Sequence, residues 1–297
     1  MKYILIAIII IIILIAALGA FLARFLLRIP AQTLEGARAW QEERYDLSWY
    51  DVIDKQSYTV KSYDGYELHT QLLINPKPSR DYVVITHGYT DNRFGAMKYA
   101  RIYLDLGFNV LVYDVRGHGE NEPTFCSYTV RERKDLREII KDTRKRHPDA
   151  ERFGIHGESL GAATSVAVLN YQPEIDFVVA DCPFTSFKRI MKEVIKAYHL
   201  PGGVIELAGF FAKIMYKVDF NDMSPIDCLA QNPIPVMYIH GQEDRLISPM
   251  NSADLYDRTE GLRELRFIPG AAHAESVLKE TEAYRQYVTE FLEKVYE

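Results

Sequence analysis

The sequence predicts an α/β protein, a mostly parallel sheet covered by helices on both faces. Three observations predict it. Short β-branched or aromatic runs alternate along the chain with amphipathic helical stretches. Most of those runs are continuously apolar rather than alternating, as strands buried on both faces require. No internal repeat or Gly/Ser-rich linker divides the chain beyond residue 46, so one domain carries the whole pattern. Composition agrees: 297 residues, 48% hydrophobic, with 17 Gly and 13 Pro, can bury a large core and exclude collagen-like repetition or disorder. A net charge of −6 leaves no basic field to gather nucleic acid. Cys126, Cys182 and Cys228 form no C-x-x-C pair, which excludes a disulfide scaffold or a zinc ribbon.

The first element is set apart from the rest. Ile4 to Leu22 is a run of nineteen residues with neither charge nor polar side chain. At about 1.5 Å per residue it nearly spans a hydrocarbon core of ~30 Å. A cleaved signal peptide competes, with Lys2 as n-region and Ala17-x-Gly19 as a small-residue site. The run exceeds the usual h-region of about 7–15 residues, which favours an uncleaved single-pass signal anchor over residues 1–28. Arg24, Arg28, Arg38 and Arg44 after the run would hold the following domain in the cytoplasm, whereas signal anchors commonly export it. The reading adopted is a cell-membrane protein with its domain on the extracytoplasmic face. Residues 30–54, with mixed charge and the tryptophans Trp40 and Trp49, read as a short amphipathic helix at the membrane interface or as the first element of the soluble domain; 29–45 is taken as the juxtamembrane linker and 46–297 as the soluble domain.

Within that domain, Ser57–Ser62 and Glu67–Leu73 flank Asp64-Gly65, a hairpin signal. The runs Tyr82–Thr86, Asn109–Tyr113, Phe153–His156, Phe177–Ala180, Val236–His240 and Leu265–Ile268 follow. Helices are expected over Arg131–Arg146, Ala162–Leu169 and Ala283–Val295. The first holds eight bases against four acids, interleaved at helical spacing as on a solvated outer face. Residues 187–222 break the rhythm with two helical apolar patterns split by Pro201-Gly202-Gly203. This insertion reads as a candidate lid or as packing, and Phe210, Phe211 and Met215 in it as candidate substrate contacts.

The chemistry concentrates at Gly157-Glu158-Ser159-Leu160-Gly161, between a strand and a helix. A G-x-S-x-G elbow strains the serine backbone, so side chains two residues either way must nearly vanish. The helix N-terminus then lies under Ser159, and the Leu160 amide faces a developing oxyanion. A serine hydroxyl needs a base and an orienting acid, in the chain order serine, acid, histidine. Of His199, His240 and His273, only His273 sits in a loop after the last strand and before the terminal helix. Asp244, just past the strand Val236–His240, is the favoured acid, with Glu243 and Asp181 as rivals. His87-Gly88-Tyr89 follows the third strand, and the Tyr89 amide is the expected second oxyanion donor, with His87 bracing the loop. Asp114-Val115-Arg116-Gly117-His118-Gly119 reads as a loop fixed by its own charges. No G-x-G-x-x-G or Walker spacing occurs, and His118 and His156 lack ligand spacing, so no cofactor and no metal are expected.

HGYTDN at 87–92, YDVRGHG at 113–119, GESLG at 157–161, HGQEDRLISP at 240–249 and GAAH at 270–273 together resemble the α/β-hydrolase superfamily. The resemblance is nearest to membrane-anchored bacterial hydrolases related to esterases and prolyl oligopeptidase-like enzymes. It covers about residues 46–297 and implies an eight-stranded sheet with a helical insertion after the sixth strand. It also implies Ser159, Asp244 and His273 as a triad that hydrolyses small acyl esters, thioesters or amides through an acyl-enzyme. Glu158 departs modestly from the pattern and would disfavour anionic acyl groups. A peptidase or acyltransferase on the same triad, and a non-catalytic tethered scaffold, are the rival readings. The oligomeric state is not legible in the sequence.

Overall fold

The runs expected as strands pair into one eight-stranded sheet in the order β1-β2-β4-β3-β5-β6-β7-β8. The computed structural model describes residues 1–199 and 201–297; Leu200, inside the candidate lid 187–222, lies outside the described residues. The strands are β1 (Lys55–Lys61), β2 (Glu67–Leu73), β3 (Tyr82–Thr86), β4 (Asn109–Tyr113), β5 (Phe153–Glu158), β6 (Phe177–Asp181), β7 (Val236–Gly241) and β8 (Arg263–Ile268). Only β2 runs antiparallel to its neighbours; β3 to β8 are parallel. The first strand ends before Ser62 because the Ser62 N–H turns to the Tyr66 carbonyl (2.8 Å) in the Asp64-Gly65 hairpin. β5 runs two residues beyond the expected end, since Gly157 still pairs with Thr86 and Ala180, and Glu158 with Asp181.

The continuous apolar runs are two-faced when read residue by residue. Val83 and Ile85 of β3, with Val110 and Val112 of β4, pack into one layer, while Val84, Leu111 and Tyr113 pack into the other. The first layer is covered by α2 (Leu34–Glu42), α3 (Ser48–Val52), α4 (Met97–Asp105), α10 (Ser276–Lys279) and α11 (Thr281–Tyr296). The second is covered by α5 (Glu132–Arg146), α6 (Leu160–Ala167) and α9 (Met250–Arg258). In α5 the stripe Leu136, Ile139 and Ile140 is buried beneath the charged face, as the interleaved charges predict.

Two features position the site from outside the sheet. α1 (Lys2–Leu27) is long and apolar enough to cross a membrane, and most of its surface is bare. One face of its C-terminal half is covered. Gly19, Ala23 and Leu27, four residues apart on one face, are buried against α8 (Gly203–Tyr216), the second helix of the insertion after α7 (Phe187–Ala197). A Cβ at Gly19 would lie 2.3 Å from the Phe211 ring, so only glycine permits this approach.

The stretch expected to be a linker is also packed. α2 begins on Thr33, whose hydroxyl accepts the Gly36 N–H (3.1 Å), and it buries Ala37 and Gln41. Its charged residues face outward, where Arg38 pairs with Glu42 and Asp51.

Candidate active site

The parallel sheet delivers its functional loops to one edge, at the C-terminal ends of β3, β5, β7 and β8. Ser159 sits at the β5–α6 junction with φ 53° and ψ −113°, a left-handed conformation rare for a non-glycine residue. The flanking glycines make this turn possible. A Cβ at Gly157 would lie 2.3 Å from the Gly161 backbone, and one at Gly161 would lie 2.0 Å from the Thr86 carbonyl. The Ser159 N–H donates to the Asp181 carbonyl (2.8 Å), which fixes the elbow to β6.

Asp244 and His273 converge on this serine. His273 Nδ1 lies 2.6 Å from Asp244 Oδ2, and His273 Nε2 lies 2.9 Å from Ser159 Oγ. Asp244 Oδ1 accepts the backbone N–H groups of Leu246 (2.9 Å) and Ile247 (2.8 Å), which lock its carboxylate. Burial alone would raise the Asp244 pKa, but hydrogen bonds from His240 and His273 hold it well below the usual carboxylate range. His240 is the partner that sequence reading passed over. Its Nε2 lies 3.1 Å from Asp244 Oδ2 and 2.9 Å from the Ile247 carbonyl, and its Nδ1 lies 2.7 Å from Ser252 Oγ. With Nε2 as donor and Nδ1 accepting the Ser252 hydroxyl, it orients Asp244 from behind; the four-residue spacing His240–Asp244 was the available signal. Gly241 lets the His273 loop close in, since a Cβ there would meet the Ala271 carbonyl at 2.4 Å.

Both rival acids lie apart from the imidazole. Glu243 is exposed, and Asp181 is fully buried beneath the elbow. The thiol of Cys182 joins Asp244 and His273 within 4.8 Å, but the carboxylate and imidazole of that trio are bonded to one another. Burial pushes the Cys182 thiol well above its ordinary pKa, which keeps it a neutral filler.

The Tyr89 and Leu160 backbone N–H groups find no acceptor among the described residues, whereas their neighbours Ser159 and Thr90 do. Gly88 brings the first loop in: a Cβ there would stand 3.6 Å from that of Ser159. His87 braces the loop, with Nδ1 2.7 Å from the Gly88 carbonyl and Nε2 accepting the Val115 N–H (2.8 Å). Asp114 fixes the neighbouring loop by accepting the N–H groups of Arg93 and Glu120 and pairing with the Arg93 guanidinium.

The expected apolar contacts need correction. Phe210 and Met215 are exposed and Phe211 packs on α1, because α8 turns its small face, Ala208 and Ala212, toward the body. The apolar residues clustered with Leu160 are instead Ile29, Tyr89, Ile190, Met191, Val194 and Ile247. Ile29 was invisible in the sequence. It arrives because Leu27 and Arg28 accept hydrogen bonds from the Cys126 N–H (2.9 Å) and the Tyr89 hydroxyl, while the Gln32 N–H donates to the Thr90 carbonyl (2.9 Å).

Glu158 also departs from expectation. It forms a buried ion pair with Lys98, whose Nζ also donates to the Ala274 carbonyl (3.1 Å) next to His273. The carboxylate beside Ser159 is thus neutralised from below and offers no bare charge above the elbow. The Tyr99 hydroxyl donates to Glu158 Oε2 (2.7 Å) and lies 2.9 Å from Asp181 Oδ2. One hydroxyl hydrogen cannot serve both oxygens. Burial, reinforced by the Glu158 charge, pushes Asp181 up to about 6, so Asp181 supplies a second hydrogen to this cluster only below that pH.

A parallel sheet with a glycine-framed serine elbow and converging acid and histidine loops defines an α/β-hydrolase. The chain belongs to the family described as serine aminopeptidase, S33, whose model matches residues 77–233. It is 30% identical over 301 residues to the uncharacterized protein YqkD of Bacillus subtilis, covering 99% of this chain and 98% of the relative. Among solved structures it resembles the Pyrococcus furiosus esterase Pf2001, with TM-score 0.68 and 22% identity over 84% of this chain and 94% of that one. A thermophilic esterase from Thermogutta terrifontis aligns with TM-score 0.59 and 17% identity over 82% of this chain and 100% of that one. At such identities these two comparisons speak to fold.

Proposed function

We propose that this hydrolase is a membrane-anchored serine esterase, with α1 as its uncleaved anchor and one catalytic domain behind it. The observation that carries the reading is the unbroken relay from Asp244 Oδ2 through His273 to Ser159 Oγ, at 2.6 and 2.9 Å. His273 Nε2 takes the Ser159 proton as Oγ attacks the ester carbonyl, and Asp244 stabilises the imidazolium through Nδ1. The Tyr89 and Leu160 N–H groups receive the oxyanion; loss of one such donor costs about 10²–10³ in rate. His273 then gives its proton to the departing alkoxide, leaving the acyl group on Oγ. A water enters, His273 takes its proton, and collapse of the second tetrahedral species frees the acid and restores Ser159.

Ester chemistry is favoured over aminopeptidase chemistry by Glu158. An aminopeptidase needs an acid facing the bound ammonium, and the carboxylate beside Ser159 is engaged by Lys98 and Tyr99. Packing of Gly19 against Phe211 and Leu207 of α8 supports retention of the helix, since cleavage after Gly19 would remove that contact and leave only Ala23 and Leu27 on this face. The test is fluorophosphonate labelling of the full chain in detergent, beside Ser159→Ala. Labelling that vanishes in the variant is expected, together with at least a ~10⁴-fold loss of p-nitrophenyl ester turnover. Equal labelling of both would sink the assignment.

A further inference from the structure

The insertion reads from sequence as a lid or as packing, and the structure gives its second helix, α8, a neighbour in α1. Its contact with α1 sets how deep α8 must lie, on the reading that α1 crosses a membrane. Between Lys2 and Arg24 α1 carries no charge, so these two residues mark the headgroup levels. Residues 2–18 supply seventeen helical residues, ~25 Å at about 1.5 Å each, short of a hydrocarbon thickness of ~30 Å. The contact of Gly19 with Phe211 and Leu207 therefore falls inside the hydrocarbon, five residues or ~7 Å below Arg24.

What α8 shows to its surroundings fits that depth. Phe210, Ile214 and Met215 are 59%, 52% and 47% exposed, and the Phe210 ring stands 5.4 Å from that of Phe211. Exposed Lys192 and Lys196 on α7 line a separate cleft with Gly203, Ile205 and the exposed Glu206 at the N-terminal end of α8. From the α1–α8 contact an apolar path leads inward. Met191 and Tyr128 pack both with the α1–α8 cluster and with the cluster that holds Leu160, the residue after the nucleophile.

We propose that α8 is seated in the leaflet beside α1, and that the substrates of Ser159 are long-chain acyl esters drawn laterally from that bilayer. This rests on the esterase and anchor readings above and names their substrate class. An ordinary water-soluble ester would not need the exposed apolar face, and a folded soluble domain would not retain it.

The test uses the full chain in phosphatidylcholine/phosphatidylglycerol vesicles. The three native cysteines are buried, so an environment-sensitive fluorophore can be directed to Phe210→Cys, with Asp149→Cys before β5 as the control at the opposite edge of the sheet. The label at 210 is expected to be quenched by nitroxide placed near the top of the lipid acyl chains and to be at least fivefold less accessible to iodide than the control. Equal iodide access at both positions would overturn the proposal. In a second arm, Phe210→Asp/Ile214→Asp is expected to lose at least tenfold in hydrolysis of a long-chain fluorogenic acyl ester held in the vesicle. Its turnover of p-nitrophenyl acetate stays within twofold. Unchanged long-chain hydrolysis would also overturn the proposal, and if the double variant fails to fold, quenching at 210 decides alone. Absence of fluorophosphonate labelling in the wild type would remove the esterase reading separately, with the depth of α8 still read by quenching.

Discussion

At the strand ends, each reactive side chain is placed by its immediate neighbours. Gly157 and Gly161 make the Ser159 turn, two backbone N–H groups hold Asp244, and Gly241 admits the His273 loop. In the α7–α8 insertion the opposite holds. The fit of α8 depends on Gly19, nearly two hundred residues earlier, and its outer face has no protein partner among the described residues. The difference teaches where a hydrolase of this kind can vary. The reactive end tolerates almost no local change, while the insertion is free to follow whatever lies against it.

The sharpest way to break the contrast is at Asp244. Asp244→Asn should keep the fold and lower kcat by about 10⁴, because the amide can hold His273 in the wrong tautomer. A loss under tenfold in steady-state ester hydrolysis would mean the relay is not the working part. Next in size is Lys98, which ties Glu158 to the Ala274 carbonyl. Lys98→Met leaves a buried carboxylate unpaired and should cost about 3–5 kcal/mol in urea unfolding monitored in detergent. A similar cost from Lys213→Met, in an exposed pair with Asp219, would erase the distinction between the two regions.

A smaller effect is expected from pH. The Asp181 carboxyl holds its proton more tightly in the folded state, where its pKa is about 6 against 3.8 for an ordinary aspartate. Between those values the folded protein binds more protons than the unfolded chain, so stability falls as pH rises from about 4 to 6. Asp181→Asn should flatten that fall by about 1–3 kcal/mol, read from urea midpoints at pH 4, 5, 6 and 7. Asp91 and Asp135, each raised to about 6 chiefly by burial, keep the remainder. The smallest effect belongs to the insertion. Ile214→Ser in detergent should stay within about 0.5 kcal/mol of wild type, because the side chain is already half exposed.

The same contrast explains what could be read from the sequence. Three of the expected strands match at both ends, and the grouping of Ser159, Asp244 and His273, which the structure brings together, follows from glycine placement and chain order, all local signals. A short helix at α2 was legible but its packing was not, because Arg38 and Glu42 argued against burial; with Asp51 they satisfy one another on the outer face while Ala37 and Gln41 turn inward. Lys98 was hidden because its partners lie 60 and 176 residues away. The aromatic pair Phe210-Phe211 was legible as apolar but not as to its partner, since helical periodicity gives a face and no neighbour.

The carbonyls of Leu26, Leu27 and Arg28 accept hydrogen bonds from Tyr128, Cys126 and Tyr89 in turn, so the end of the apolar helix is stitched into two loops, the Tyr89 loop that holds the expected oxyanion donor and the Cys126–Tyr128 loop before α5. Shaving the protein from a membrane by a cut before Ile29 would unpick all three stitches at once. Release into solution and loss of a formed site would then be a single event, and a soluble fragment that keeps its site has to begin upstream of Leu26.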